Sequence, residues 1–290
     1  PQDTYIVDQY HTYLRPYQIR SAAIHHLENG FSRKIQPLRK SRPNRLSLRI
    51  MTYNVHSCIG MDGKVSPERI ARIIARYHPD IVCLQELDVE KSRTNTIDQA
   101  HCLAQLLKMK FHFHPSIHIE EERYGDAILT HLPMELIKAD ILPNRVGSPS
   151  IEPRGALWVR IKEHGITVNI INTHLDVRKQ ARETQLESLL GPEWLSNPNC
   201  EEPTILCGDF NTLPKSRHYN SITKVLHDTQ LEPNSNDVKA TFFTRFPTTR
   251  IDYIFVDNNI KVKNNTIPNT GLTRVASDHF PLIADIIIEN

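Results

Sequence analysis

The sequence predicts an α/β domain, and three observations carry that prediction. Short apolar runs of strand length recur from Leu48 almost to the C-terminus, helix-spaced apolar stripes alternate with them, and polar or acidic residues stand where the runs stop. Of the 290 residues 39% are hydrophobic, enough for a sizeable core in one large domain or two small ones. No apolar run reaches the roughly 18 residues of a membrane-spanning helix, and no basic-then-apolar signal segment opens the chain.

A first segment, residues 1–46, precedes the alternating pattern. Within it Tyr17 to Lys34 has helix-compatible spacing at Ile19, Ala23, Ile24, Leu27 and Phe31, and the run Lys40-Ser41-Arg42-Pro43-Asn44-Arg45 breaks it off. The first strand is expected over Leu48 to Tyr53, ending at Asn54. Ser66 then caps a helix with Pro67 in its first turn and Ile70, Ile73, Ile74 and Tyr77 as its stripe, stopped by His78-Pro79-Asp80. A strand over Ile81 to Leu84 closes on Gln85-Glu86, and a helix follows near Thr96 to Lys108. Further strands are expected near Ala127 to Thr130, Ala156 to Ile161 and Thr167 to Ile171, then a helix around Lys179 to Leu190. Strands at Thr204 to Cys207, Ile251 to Val256 and Leu282 to Ile288 complete the series. The histidines 112, 114 and 118 alternate as along an edge strand and are expected to face solvent. By pattern alone a doubly wound parallel sheet would satisfy this order.

Charge is unevenly distributed. Residues 1–49 hold nine Lys or Arg against three acids, while the remainder holds 26 bases against 30 acids. A catalytic region without a basic excess disfavours a nucleic-acid backbone as partner, and the basic first segment suits an anionic membrane surface or a preceding domain. The start at Pro1 instead of Met points to a processed chain or a portion of a longer one. Five cysteines, at 58, 83, 102, 200 and 207, are odd in number and form no CxxC pair. They fit a reducing, cytoplasmic compartment, with Cys83 and Cys207 as core residues.

Acids are costly inside buried strands, so acids placed repeatedly at the edges of apolar runs imply a cation or hydrogen-bond partners. The set is TYNVH at 52–56, QE at 85–86, PRGAL at 153–157, NTHL at 172–175, GDFN at 208–211, RIDYIFV at 250–256 and SDHFPL at 277–282. In this order the motifs resemble the endonuclease/exonuclease/phosphatase superfamily, over about residues 48 to 288. The resemblance implies a four-layer sandwich, two mixed β-sheets packed face to face with helices outside, formed by residues 47–290 as the catalytic domain.

It also implies roles. Glu86, Asp278 and Asn54 would hold Mg²⁺, with Mn²⁺ as the alternative, since an oxygen donor set without thiolates suits such ions. Asp252 would fix the tautomer of His279, and either His279 or Asp209 would take the proton. Asn211 and His174 would contact the phosphate, and Arg154 would bind it as well. Tyr124 and Glu122 are lesser candidates, Glu122 as a partner for His174. The resemblance thus implies a metal-dependent phosphoester hydrolase acting on a lipid headgroup or other non-duplex phosphodiester. A nuclease acting on DNA or RNA is the second reading, and a non-catalytic module binding phosphate or a protein is the third.

Overall fold

Two six-stranded mixed sheets face each other in the computed structural model, which describes residues 45–144, 152–200, 203–231 and 239–289. The first sheet runs β11 (Ile260–Thr266), β12 (Leu282–Glu289), β1 (Arg45–Asn54), β2 (Ile81–Val89), β4 (Glu122–Thr130), β3 (Lys110–Ile119). The second runs β5 (Met134–Ile141), β6 (Gly155–Glu163), β7 (Ile166–His174), β8 (Thr204–Asp209), β10 (Asp252–Val256), β9 (His227–Asp228). One pair in each sheet is parallel, β1 with β2 and β7 with β8. Parallel neighbours need a crossover, and a helix supplies each one: α1 (Pro67–Tyr77) and α3 (Lys179–Leu190).

Strand alternation builds the layers. Along β1, Leu46, Leu48 and Ile50 point between the sheets, while Met51 and Tyr53 join the outer layer under α1 and α2 (Gln99–Leu107). Along β6, Leu157, Val159 and Ile161 face inward, and Ala156 and Trp158 face outward toward Leu186 and Leu189 of α3 and Tyr219 of α4 (Arg217–Ile222). Central strands covered on both faces therefore read as unbroken apolar runs. The order is helix, sheet, sheet, helix, and the doubly wound alternative is excluded by the antiparallel pairs that flank each crossover.

The expected helices form with adjusted ends. Ser66 Oγ accepts from Arg69 N, Ile70, Ile73 and Ile74 are buried, and His78 ends α1 in the left-handed region. α2 begins only at Gln99, because Thr96 has φ +54° and the Asp98 side chain caps the helix at His101 N. β5, β11, α4 and α5 (Gly271–Ala276) were not expected: β5 and β11 are edge strands, β5 interrupted by Glu135, Lys138 and Asp140 and β11 rich in polar residues, and each of the two helices spans 6 residues. Tyr17 to Lys34 lies outside the described residues. Among the described residues no helix is long and apolar enough to cross a membrane.

Two expectations are corrected here. β2 does not stop at Leu84; it continues to Val89 past a break in pairing with β4 between Leu84 and Leu87, so Glu86 sits in a bulge and not at a strand end. On β3, Phe111 and Phe113 pack under the helices, which turns His112 and His114 toward the facing sheet. His112 is buried and His114 half-buried, and burial pushes both imidazoles down; His118 is the exposed one.

Candidate functional site

Register delivers the site. Parallel pairing of β7 and β8 sets His174 beside Asp209, and antiparallel pairing of β8 and β10 sets Asp252 opposite Asp209. The first sheet brings Asn54 at the end of β1 and Asp278-His279 just before β12, which is β1's antiparallel partner. Gly208 is required for the approach, since a Cβ there would lie 1.8 Å from Thr173 O, and its φ is +140°. Asn211 then turns back in the left-handed region, its N–H donating to Asp209 Oδ1 at 2.9 Å.

Asp209 is the hub. Asn54 Nδ2 donates to Asp209 Oδ2 at 3.1 Å and to Glu86 Oε1 at 2.9 Å, while Asn54 Oδ1 accepts from His56 N at 3.0 Å. His174 Nε2 lies 3.5 Å and His279 Nε2 3.7 Å from the same Asp209 oxygen. One ligand atom from each of Asp209, Asp252 and His279 falls within a 4.8 Å cluster. All three residues are buried. Burial first, and then the Asp252 charge, push the Asp209 carboxyl up to about 7.

The two histidines are driven apart. Burial opposes the charged form of His279, but Asp252, hydrogen-bonded to Nδ1 at 2.9 Å, together with Asp209 and Asp278, outweighs it and pushes the imidazole up to about 10. His174 goes the other way: burial, Arg154 and His279 all push it well below the ordinary value. Arg154 Nη1 lies 2.9 Å from His174 Nδ1 and has no acceptor character, so Nδ1 accepts and Nε2 carries the proton. Asn211 Nδ2, 3.2 Å from that Nε2, donates to Leu175 O at 2.9 Å instead. His174 is thus a neutral donor aimed at Asp209, and His279 a cation on its other side.

Glu86 is placed by its bulge, with φ +62° and a half-buried side chain. Tyr124, nearly buried on β4, lies in electrostatic contact with Glu86 and Arg154, and burial pushes its phenol up. Arg154 is fixed between His174 and Glu152, 2.7 Å away. Asp278 is half-buried beside His279, its carbonyl accepting from Thr244 N at 2.9 Å. Glu122 does not reach His174: its carboxylate accepts from Ser92 N at 2.8 Å and Ser92 Oγ at 2.9 Å on the exposed side of β4.

Three contributors escaped the sequence reading. Asp126, fully enclosed behind Glu86, accepts from the Glu86 backbone N–H and is pushed by burial up to about 8. Its signal, an acid inside an apolar run at Gly125-Asp126-Ala127, was present. Asn172 ties β7 to the first sheet beneath the site, donating to Leu84 O and Ala127 O at 3.0 Å each and accepting from Gln85 Nε2 at 2.7 Å. Phe242 lies against His279, the ring centres 4.8 Å apart and the planes tilted by 48°; no strand pattern announces it.

The donor set fits a hard divalent cation. Glu86, Asp209, Asp252 and Asp278 gather beside Arg154 and His279, with Asp126 behind them held protonated by burial, and Cys58 is buried in the outer apolar layer without supplying a thiolate. Such an excess of carboxylate is what Mg²⁺ or Mn²⁺ balances.

Comparisons with known proteins bear on the fold and the family. The chain is 29% identical over 259 residues, 83% of its length and 97% of the other's, to the uncharacterized protein YbhP of Escherichia coli K12. An endonuclease/exonuclease/phosphatase from Beutenbergia cavernae superimposes with TM-score 0.69 at 24% identity, over 84% of this chain and 72% of that one. The human Nocturnin catalytic domain with bound sulfate superimposes with TM-score 0.64 at 22% identity, over 83% and 93%. A mannosyl-6-phosphatase from Bacteroides thetaiotaomicron does so with TM-score 0.67 at 20% identity, over 82% and 99%. The family model described as Endonuclease/Exonuclease/phosphatase matches residues 51–279, and the chain belongs to that family of phosphoester hydrolases.

Proposed function

We propose that this hydrolase is a Mg²⁺-dependent phosphodiesterase acting on a lipid headgroup or other non-duplex phosphodiester. The observation that carries the reading is Asp209 between two histidines of opposite protonation, His279 as cation and His174 as neutral donor. Pairs of groups whose environments drive their pKa values apart divide acid and base roles. In this division Asp209 accepts the proton of the attacking water, and His279 Nε2–H and His174 Nε2–H hold phosphate oxygens. Asp252 keeps His279 charged and oriented. A Mg²⁺ or Mn²⁺ ion held by Glu86 with Asp278 would supply charge neutralisation at the phosphate, and Asn54, expected as a third ligand, instead turns its Nδ2 to Glu86 and orients it.

Substrate choice follows from depth and charge. His174, Asp209 and His279 are each less than 5% exposed, so the phosphate has to project into a recess. The acid-rich surroundings repel a long polyanion, which favours a headgroup over duplex DNA. Residues 1–46, with their positive balance, would hold the enzyme to an anionic membrane surface or a preceding domain. Vesicle sedimentation with the full chain and with residues 1–44 removed, which spares Arg45 and Leu46 of β1, tests that part.

The main test is a substrate panel with Mg²⁺: bis(p-nitrophenyl) phosphate, p-nitrophenyl phosphate, sphingomyelin, phosphatidylinositol phosphates, single-stranded oligonucleotide and plasmid, each with the wild type and Asp209→Ala. Turnover of a diester by the wild type alone is expected. Turnover of the monoester alone would move the reading to a phosphatase, and equal rates for both proteins on every compound would sink it.

A further inference from the structure

Asp88 is 0% exposed, yet its carboxylate is devoted to an arginine that faces solvent. Arg93 Nε donates to Asp88 Oδ2 at 2.7 Å and Nη2 to Asp88 Oδ1 at 2.8 Å, and Nη2 also donates to Ser57 Oγ at 3.0 Å. Thr94 Oγ1 donates to Asp88 Oδ2 at 3.1 Å and closes the cage. The guanidinium is thus locked while its side chain stays 53% exposed, and Nη1 makes no bond within the described residues. The enclosed Asp88 carboxylate thereby fixes the orientation of an exposed guanidinium, with Nη1 left to face outward.

The cation is presented toward the site. Tyr124 pairs with Asp88 across β2 and β4, and Arg93 lies 5.6 Å and Lys91 Nζ 5.9 Å from the Tyr124 ring centre. Tyr124 and Arg93 are each in electrostatic contact with Glu86. Asp88 follows Glu86 by two residues on the same strand, so the guanidinium that it holds stands beside the Glu86 end of the site. Glu122 is a counter-charge on the exposed side: its carboxylate accepts from Ser92 N and Oγ and is also in electrostatic contact with Lys91 and Arg93.

We infer that Arg93 and Lys91, over the face of Tyr124, form a second anion subsite beside the Glu86 end of the site, which binds a second phosphate of the substrate. The inference rests on the phosphodiesterase reading and narrows it to substrates carrying two phosphates. Arg93 and Lys91 are specificity-determining and take no part in the reaction at the scissile bond.

Matched soluble pairs test this. One pair is thymidine 5′-(p-nitrophenyl phosphate) with and without a 3′-phosphate; the other is glycerophosphoinositol with and without a 4-phosphate. The wild type is expected to prefer the two-phosphate member of at least one pair, and the preferred pair tells a nucleotide source from an inositol source. Lys91→Ala and Arg93→Lys should each raise KM for that member about tenfold, the equivalent of one charge-assisted hydrogen bond, and leave kcat/KM for the one-phosphate member unchanged. Lys91→Ala leaves the Asp88 cage intact, so a folding defect in the Arg93 variant does not obscure the answer. Equal losses on both members, or no loss on either, would overturn the subsite. Should no compound be turned over, calorimetric titration of Asp209→Ala with inorganic pyrophosphate separates the claims: weaker binding after adding Lys91→Ala supports the subsite while the activity fails, and unchanged binding overturns it.

Discussion

Asp252 accepts from His279 Nδ1 across 2.9 Å, and its other oxygen, Oδ1, is buried without a donor. The buried carboxylate therefore depends on the imidazolium for its main compensation, and the imidazolium depends on it. Asp252→Asn removes the charge and leaves the shape. Because His279 is raised to about 10, its protonated form persists through neutral pH and is lost only as pH rises through that value. In the variant the loss moves down toward the ordinary histidine range. A fall in kcat of about 10² to 10⁴ at neutral pH is expected. The kcat profile from pH 5 to 10.5 decides: an alkaline limb at the same pH in both proteins would refute the pairing's role.

Asp126 gives a stability prediction of the opposite sign. Its carboxyl, pushed by burial up to about 8, is raised above its unfolded value near 3.8. Ionising it penalises the folded state, so the native protein without metal loses stability as pH rises from about 4 to about 8, with no further loss above. Asp126→Asn lacks that penalty. Melting in EDTA should show the variant gaining on the wild type by several degrees, roughly 2–4 °C per kcal/mol, between pH 5 and pH 8.5. A gap that stays flat with pH would show that Asp126 is ionised without cost.

The site was legible where strand ends carry it. Asn54, His174, Asp209 and Asp252 each stand at the edge of an apolar run in the sequence, and each ends or opens a strand in the fold. Glu86 was found for the right neighbourhood but the wrong backbone, because a bulge leaves no mark in an apolar run that resumes at Leu87. Asp88 and Asp126 lie inside such runs, and pattern alone does not separate an acid that faces a partner from one that faces water. His112 and His114 show the same limit: alternation reveals two faces of β3, while only the opposite sheet decides which is covered. The four layers needed the family resemblance, since both crossovers look alike in a parallel sheet.

Metal removal is the third prediction. The Glu86, Asp209, Asp252 and Asp278 carboxylates crowd one recess, and their repulsion should ease when a divalent ion binds. Mg²⁺ at 100 times its dissociation constant is expected to stabilise the wild type by about 2.7 kcal/mol. Glu86→Gln should lose most of that gain and nearly all activity. Identical melting curves with EDTA and with Mg²⁺ in the wild type would remove the metal from the account.

Arg154 is best tested by what it does to His174. Its guanidinium donates to Nδ1 at 2.9 Å, and that contact fixes which nitrogen carries the proton. Arg154→Met withdraws the donor, leaving the ring free to place its proton on Nδ1 and to turn a bare Nε2 toward Asp209, 3.5 Å away. Two lone pairs would then face each other where wild type has a donor and an acceptor, and a phosphate oxygen would lose a hydrogen bond as well. A fall in kcat/KM of about 10- to 100-fold is expected, the equivalent of one to two such bonds. Arg154→Lys, which keeps a donor and a charge but not the fork, should recover part of it. Nitrogen-15 correlation spectra of the imidazole report the tautomer directly: the wild type should show protonated Nε2 at His174, Arg154→Met a mixture or the reverse. An unchanged tautomer with reduced activity would assign Arg154 to direct phosphate binding, and an unchanged tautomer with unchanged activity would remove it from the site.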